Sequence, residues 1–365
     1  MAGPPPEVVC VGESMVTFLP SRPGRLADVP AFTRAIGGAE SNVACALAAA
    51  GHRTRWVGRV GTDGFGDHLL DTIAAYGVDT RAVRRDPHRP TGVYFRTDAD
   101  RATDAHEVVY YRAGSAASAM SPDTVPYATV GDARILHLTG ITAALSPDCR
   151  ALLYALTEPR PDRPLVSFDV NHRPSLWRDD RAPEVLRELA RRADLVFVGA
   201  DEAERLWGAT DPAAVRALLP EPAVLVVKGG EGAVVAYERL GATDEGERRV
   251  DEASRGVDEA SRGADTVTSV PAPRVDVVAA VGAGDAFAAG LLSATLRGLG
   301  TRARLRHGHL AAAAALTVPG DLAAPPRRAH ADRLAALDDD AWGRLHLGPG
   351  WTSADTEADQ EVRTR

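Results

Sequence analysis

The 365-residue chain reads as an α/β protein built on a mostly parallel sheet with helices on both faces. Three observations lead there. Short apolar runs recur at Ile135 to Leu138, Leu165 to Phe168, Leu195 to Val198 and Val224 to Val227. Continuous rather than alternating apolarity marks strands that are buried on both faces. Segments with helical patterning, such as Ala182 to Ala193, separate these runs. Apolar residues make up 45% of the chain, enough for a sizeable core. In such sheets ligands bind beyond the carboxyl ends of the strands, so the loops after these runs are where function is to be sought.

The elements follow in order. Val8 to Val11 reads as the first strand. Ala39 to Ala50 reads as a helix stopped by Gly51, and Asp67 to Tyr76 as another stopped by Gly77. Thr91 to Tyr111 holds two strand-like runs around a polar stretch, Val93-Tyr94-Phe95 and Val108-Val109-Tyr110-Tyr111. A hairpin does not belong in a parallel core, so this segment is predicted to form a small antiparallel flap over the site. The lid is expected mainly from residues 14–36 and 91–112, on a single domain spanning 7–335. Between Arg239 and Asp265 the heptapeptide VDEASRG occurs at Val250 to Gly256 and again at Val257 to Gly263. Two charged copies are no solenoid, so 239–265 reads as a duplicated, disordered insertion in a hairpin loop. Residues 348–365 are expected to form a disordered tail.

Composition excludes several function classes. A net charge of -8 and a pI near 5.7 argue against a nucleic-acid surface. No run approaches a membrane span. The start, MAGPPPEVVC, lacks the basic and apolar regions of a signal peptide. Cys10, Cys45 and Cys149 are odd in number and far apart, which fits reduced thiols in a cytoplasmic protein rather than disulfides or a zinc site. Lys228 is the only lysine, so no second one exists for a Schiff base or a P-loop.

Chemistry concentrates in Val281-Gly282-Ala283-Gly284-Asp285. Successive backbone N–H groups at a helix start form an anion cradle backed by the helix dipole. A carboxylate there could take a proton from a hydroxyl attacking phosphorus. Read alone, Asp285 is better explained as a helix N-cap. Other loops point the same way. Gly37 and Gly38 precede the Ala39 helix, where backbone can approach a ligand or simply turn tightly. Lys228-Gly229-Gly230-Glu231-Gly232 follows a strand and could carry a nucleotide or close a hairpin. Asp169-Val170-Asn171-His172-Arg173 follows another strand. Gly199-Ala200-Asp201-Glu202 offers carboxylates to the water shell of a metal, or acids to a helix start.

Together these stretches resemble the PfkB-type, ribokinase-like carbohydrate kinases. GGAESNVACALAAAG with WVGRVGTDGFG is similar to the family's N-terminal signature, and VGAGDAFAAG to its C-terminal one. YYRAGSAAS, HLTGITAALSP, SFDVNHRPSLW and VFVGADEAERLWG are similar in order and spacing to the 2-keto-3-deoxygluconate subgroup. The resemblance runs from about Val8 to about Asp321. It implies a three-layer sandwich with a small β lid, ATP and Mg²⁺ as cofactors, and a sugar acid as substrate. Asp285 would be the base, and Gly282, Ala283 and Gly284 the anion hole. Gly37, Gly38, Asn42, Tyr94, Tyr110, Arg112 and Arg173 would hold the sugar acid. Guanidinium groups suit a carboxylate because they bind it in a bidentate, charge-assisted way. Lys228, Gly229, Gly230, Gly232 and His309 would meet the nucleotide, and Glu202 the metal's water shell. Family members often assemble through their flaps, which implies a homo-oligomer.

The sequence departs from that pattern at several places. Thr17 stands where kinases of neutral sugars often carry Asp, which suits an acidic substrate. Ala279-Ala280 replaces the family's Asp-Thr or Asp-Pro beside the anion hole, so potassium is expected to change the rate little. Gly199 replaces the Asn of an Asn-x-x-Glu motif, leaving Glu202 alone. A fructokinase, another sugar kinase of the family, or a sugar-binding sensor with impaired transfer are the alternative readings.

Overall fold

The computed structural model describes residues 4–97, 107–177, 179–229, 232–239 and 265–353. In chain order the strands are β1 (Val8–Val11), β2 (Met15–Pro20), β3 (Phe32–Gly37), β4 (Thr54–Val57), β5 (Arg59–Gly61), β6 (Arg84–Asp86), β7 (Val93–Arg96), β8 (Val108–Tyr111), β9 (Ile135–Thr139), β10 (Leu165–Asp169), β11 (Leu195–Gly199), β12 (Val224–Lys228), β13 (Ala233–Arg239), β14 (Asp265–Pro271), β15 (Arg274–Val275) and β16 (His346–Leu347). The helices are α1 (Ala39–Ala49), α2 (Gly64–Ala75), α3 (Gly140–Leu145), α4 (Pro147–Leu156), α5 (Ala182–Arg191), α6 (Ala200–Trp207), α7 (Pro212–Leu218), α8 (Ala283–Leu296), α9 (Thr301–Leu316), α10 (Arg328–Ala335) and α11 (Asp339–Arg344).

The main sheet runs β14-β13-β12-β11-β10-β9-β1-β4. It is parallel from β4 to β12 and antiparallel beyond. Because successive side chains point to opposite faces, each strand feeds two cores. Leu195 and Phe197 pack with α1, α8 and α9 on one face; Val196 and Val198 pack with α4 and α5 on the other. Burial on both faces explains why these strands read as continuous apolar runs. Among the described residues, no helix is long and apolar enough to cross a membrane.

A small sheet, β3-β2-β7-β8, stands over the carboxyl ends of the main strands. The β7–β8 hairpin pairs antiparallel, as expected, and so do β2 and β3. At the centre of this sheet β2 and β7 pair in parallel. Two hairpins from distant parts of the chain meet there, and sequence periodicity carries no sign of that pairing.

Helix boundaries differ slightly from the sequence reading. α2 starts at Gly64 rather than Asp67 because the Asp63 carboxylate accepts from the N–H groups of Phe65 and Gly66. The insertion is bracketed by paired strands, with Arg239 opposite Asp265 as the last rung of β13 and β14. Its duplicated heptapeptides lie outside the described residues. The predicted tail needs a correction at its start. Residues 348–353 form a turn in which Gly348 accepts from the Trp351 N–H at 3.2 Å, and the Trp351 indole is buried in the core beside His330. Residues 354–365 lie outside the described residues. Trp351→Ala should lower the unfolding free energy by about 3–5 kcal/mol, the range for emptying a buried aromatic site. A urea titration checks this, and a loss well under 1 kcal/mol would show that the segment does not belong to the core.

Candidate active site

The carboxyl ends of β1, β10 and β12, the starts of α1 and α8 and the underside of the small sheet enclose a cleft of about 500 Å³. Its floor is the start of α8. Gly282 caps this helix with φ 76°, a left-handed conformation that disfavours side chains, and a Cβ there would stand 2.3 Å from the Asp321 carbonyl oxygen. The helical ladder begins with the Ala286 N–H donating to the Gly282 carbonyl. The N–H groups of Ala283, Gly284 and Asp285 precede it, with no carbonyl one turn back to accept them. Residues 280 to 285 line the cleft, so these donors and the positive end of the helix dipole face it.

Asp285 does not act as the N-cap side chain; Gly282 holds that position with no side-chain bond. Its Oδ2 accepts from Asn42 Nδ2 at 2.8 Å, a contact between the first turns of α8 and α1. Burial pushes the Asp285 carboxyl up to about 7. The Asn42 bond works against that rise, the charges of Asp169 and Asp321 add to it, and Arg173 opposes it. The apparent mismatch between a carboxylate base and a hydroxyl of high pKa is therefore smaller than the sequence suggests.

At one end of the cleft, the small sheet is tied to the body by acid–base contacts. Arg112 donates from Nε to Glu13 Oε2 at 2.8 Å and pairs with the same carboxylate through Nη2. Ser115 Oγ donates to Glu13 Oε1 at 2.5 Å. Tyr94 Oη donates to Asp321 Oδ2 at 3.1 Å, and Arg96 Nη2 lies 3.3 Å from Asp321 Oδ1. Tyr110 lies 41% exposed at the rim, and the exposed Arg173 lines the cleft with, among the described residues, one hydrogen bond, at 3.5 Å to the His172 carbonyl. At the other end, Lys228 Nζ donates to both oxygens of Asp169, at 3.2 and 2.9 Å. Burial works against the charge of Lys228, yet Asp169, Glu202 and Asp285 together hold its pKa above the usual value. Glu202 accepts from the His172 and Gly199 N–H groups at 2.9 and 2.8 Å. Burial and then the Asp169 charge raise its pKa.

The structure gathers Gly37, Gly38, Asn42, Tyr94, Tyr110, Arg112, Arg173, Glu202, Lys228 and the residues 282–285 around one cleft. Arg112 is there, but its charge is already engaged by Glu13. His309 is not: its ring lies buried in α9 between Phe287 and Trp342, with Nε2 3.1 Å from the Val270 carbonyl oxygen. The expectation that it meets the nucleotide is corrected, since its apolar neighbours use it as a core residue. Gly229 and Gly232 close the β12–β13 turn through a 2.9 Å backbone bond and do not line the cleft. Gly230 lies outside the described residues.

Glu13, Arg96 and Asp321 are cleft residues that the sequence did not single out; Asp169 lies there as the start of a loop that it did. Glu13 stands just beyond the end of β1, where it could have been found. Arg96 shares the inward face of β7 with Tyr94, two residues away, a period-2 signal that was legible. Asp321 follows α9 and carried no signal.

A family model described as pfkB family carbohydrate kinase matches residues 5–328. The 2-dehydro-3-deoxygluconokinase of Bacillus subtilis is 33% identical over 335 residues, covering 91% of this chain and 95% of that protein. A probable chloroplastic fructokinase-6 of Arabidopsis thaliana is 31% identical over 294 residues, covering 79% of this chain and 70% of that one. Among solved structures, an uncharacterized sugar kinase of Pyrococcus horikoshii in complex with ATP superposes with a TM-score of 0.73 at 24% identity, covering 91% and 98% of the two chains.

Burial of Asp285 has a thermodynamic consequence. A carboxyl whose folded pKa is raised binds its proton more tightly folded than unfolded, so its contribution to stability falls as pH rises from the ordinary carboxylate range through about 7. Asp285→Asn removes that loss, worth up to about 4 kcal/mol from a shift of roughly three units. The variant's melting temperature should exceed that of the parent near pH 8 by several degrees, and the gain should vanish near pH 5. An equal difference at both values would contradict the burial account.

Proposed function

Because this chain belongs to the pfkB family of carbohydrate kinases and is an ATP-dependent sugar kinase, we propose that its substrate is a keto sugar acid of the 2-keto-3-deoxygluconate type, phosphorylated on its terminal hydroxyl. The observation that carries the transfer chemistry is the half-buried carboxylate of Asp285, fixed by Asn42 beside N–H groups at a helix start. Asp285 takes the proton of the attacking hydroxyl. The N–H groups of Ala283, Gly284 and Asp285 receive the oxygens of the transferring phosphoryl group, and the helix dipole stabilises their charge. Phosphoryl transfer has a loose transition state, so positioning and charge do most of the work and the proton can leave late. Lys228, held by Asp169, brings the chain's one ammonium close to the same helix start, 3.9 Å from where a Cβ on Gly284 would be.

Mg²⁺ accompanying ATP fits the acids present. The Asp169 charge adds to the cost of ionising Glu202 at this end of the cleft, a strain that a nearby dication would relieve. Among the described residues no group of three or more His, Cys, Asp or Glu side chains could cage a metal ion. ATP phosphates and water would therefore hold Mg²⁺, with Glu202 and Asp169 at the edge of its water shell. Its contribution would be to neutralise charge on the β- and γ-phosphates.

For the sugar end, Arg173 is the guanidinium with spare capacity to meet a substrate carboxylate. Gly37 and Gly38 offer backbone, and Tyr94 and Tyr110 offer ring faces and hydroxyls. A neutral ketose is the second reading, favoured by the Glu13–Arg112 pair, which cancels one of the two arginines expected to meet a carboxylate. A panel of keto sugar acids and neutral sugars with Mg·ATP, followed by ADP release, separates them. Arg173→Ala should raise KM for an acidic substrate by about 10- to 100-fold, the worth of a charge-assisted hydrogen bond, and leave neutral sugars nearly unaffected. Equal losses on both classes would remove Arg173 from carboxylate recognition. With Mg·ATP saturating, kcat/KM for the sugar should fall tenfold per pH unit below about 7 as Asp285 takes up its proton. An acidic limb near the ordinary carboxylate range, around 4, would count against a buried base.

A further inference from the structure

Glu40, the second residue of α1, is a charged side chain with no exposed surface. Its Oε1 accepts from the Thr139 hydroxyl at 2.8 Å and from the Thr142 hydroxyl at 2.7 Å. Its Oε2 is buried and has no partner. Thr139 ends β9 and caps α3, its hydroxyl oxygen accepting from the Ile141 N–H at 3.2 Å, and Ile141 lines the cleft. Gly12, directly after β1, makes the room: a Cβ there would stand 2.1 Å from the Glu40 carboxyl carbon. One carboxyl group of α1, packed against Gly12, therefore ties the first turn of α1 to the end of β9 and the first turn of α3.

Glu40 does not itself line the cleft. It reaches the chemistry through α1, whose Asn42 donates to Asp285. The Asn42 N–H in turn donates to the Gly38 carbonyl at 2.8 Å, so amide and glycine move with the same turn. The charged and titratable groups around Glu40 are Cys10 on β1 and Arg112 at the end of β8; those around Asp285 are Asp169, Asp321, Arg173 and Lys228. As a stabilising device Glu40 is a poor choice, because a buried polar group with an unsatisfied oxygen is worse than an apolar filling of similar size. What it supplies is a directional anchor that an apolar side chain could not give.

We propose that Glu40 is a positioning residue for phosphoryl transfer: by docking the first turn of α1 onto Thr139 and Thr142, it sets the Asn42 amide against Asp285. This rests on Asp285 as the base.

The test uses the full chain with Glu40→Ala, Glu40→Gln, Thr142→Val, Asn42→Ala and the double variant Glu40→Ala/Asn42→Ala. Steady-state rates are measured across pH, together with melting temperatures. Glu40→Ala should lower kcat about tenfold while KM for ATP changes less than about twofold, the pattern of lost positioning rather than lost binding. It should also move the acidic limb of kcat/KM upward, because the amide no longer steadies the ionised Asp285. Asn42→Ala should do the same, and the double variant should be no worse than Asn42→Ala alone. Glu40→Gln, which keeps an acceptor for both hydroxyls, should stay within about threefold of the parent rate. Thr142→Val, nearly the same shape without one donor, should show a smaller loss of the same kind and stands in should Glu40→Ala fail to fold. A melting temperature lowered with kcat and the acidic limb unmoved would overturn the proposal, as would losses that multiply in the double variant. An unmoved limb in Asn42→Ala would overturn the base reading and this inference together; a limb moved by Asn42→Ala but not by Glu40→Ala would overturn this inference alone.

Discussion

The site depends on holding one half-buried carboxylate, Asp285, at the start of a helix on the floor of the cleft while giving it a single side-chain donor. Burial raises its proton affinity, and the Asn42 amide keeps that rise in check. That contact requires α1 and α8 to meet at their first turns. Their facing sides are mostly small, with Ala44, Ala288 and Ala289 all buried, so the helix axes can approach. Small residues at this contact therefore set the distance on which the chemistry depends.

The rest of the cleft distributes charge around that centre. A protein with a net charge of -8 must present anionic substrates with local cations, and this one neutralises most of them in advance. Arg112 is taken by Glu13, Arg96 by Asp321 and Lys228 by Asp169. Such pairs fix geometry at little net cost in field, because each buried cation has its own carboxylate. The Glu13 and Asp321 contacts also fasten the small sheet to the body, so substrate and lid draw on the same groups. Arg173 is the exception, exposed at the mouth with a weak contact of its own.

Much of this was legible in the sequence, and the reasons differ by element. The main sheet announced itself because β9 to β12 are buried on both faces and cannot hide an alternating pattern. The start of α8 stood out because a Gly-Ala-Gly turn opening a helix leaves backbone N–H groups free to meet an anion. Pairings between distant segments were illegible. Nothing in Met15–Pro20 says that it lies parallel to Val93–Arg96, and nothing near Trp351 says that its indole finds the core. Arg112 shows the same limit in the site itself: its type and position were right, yet its partner Glu13 comes from ninety-nine residues earlier. His309 shows the reverse, a polar residue whose helix turns it inward onto aromatic rings.

The central claim is that a half-buried carboxyl at position 285 changes its protonation near neutrality. Difference infrared spectroscopy of the unliganded protein against Asp285→Asn, recorded across pH, observes that carboxyl directly. The account requires a protonated C=O stretch, absent from the variant, that disappears with a midpoint near 7. A carboxylate already ionised near pH 5, titrating in the ordinary range around 4, would contradict it.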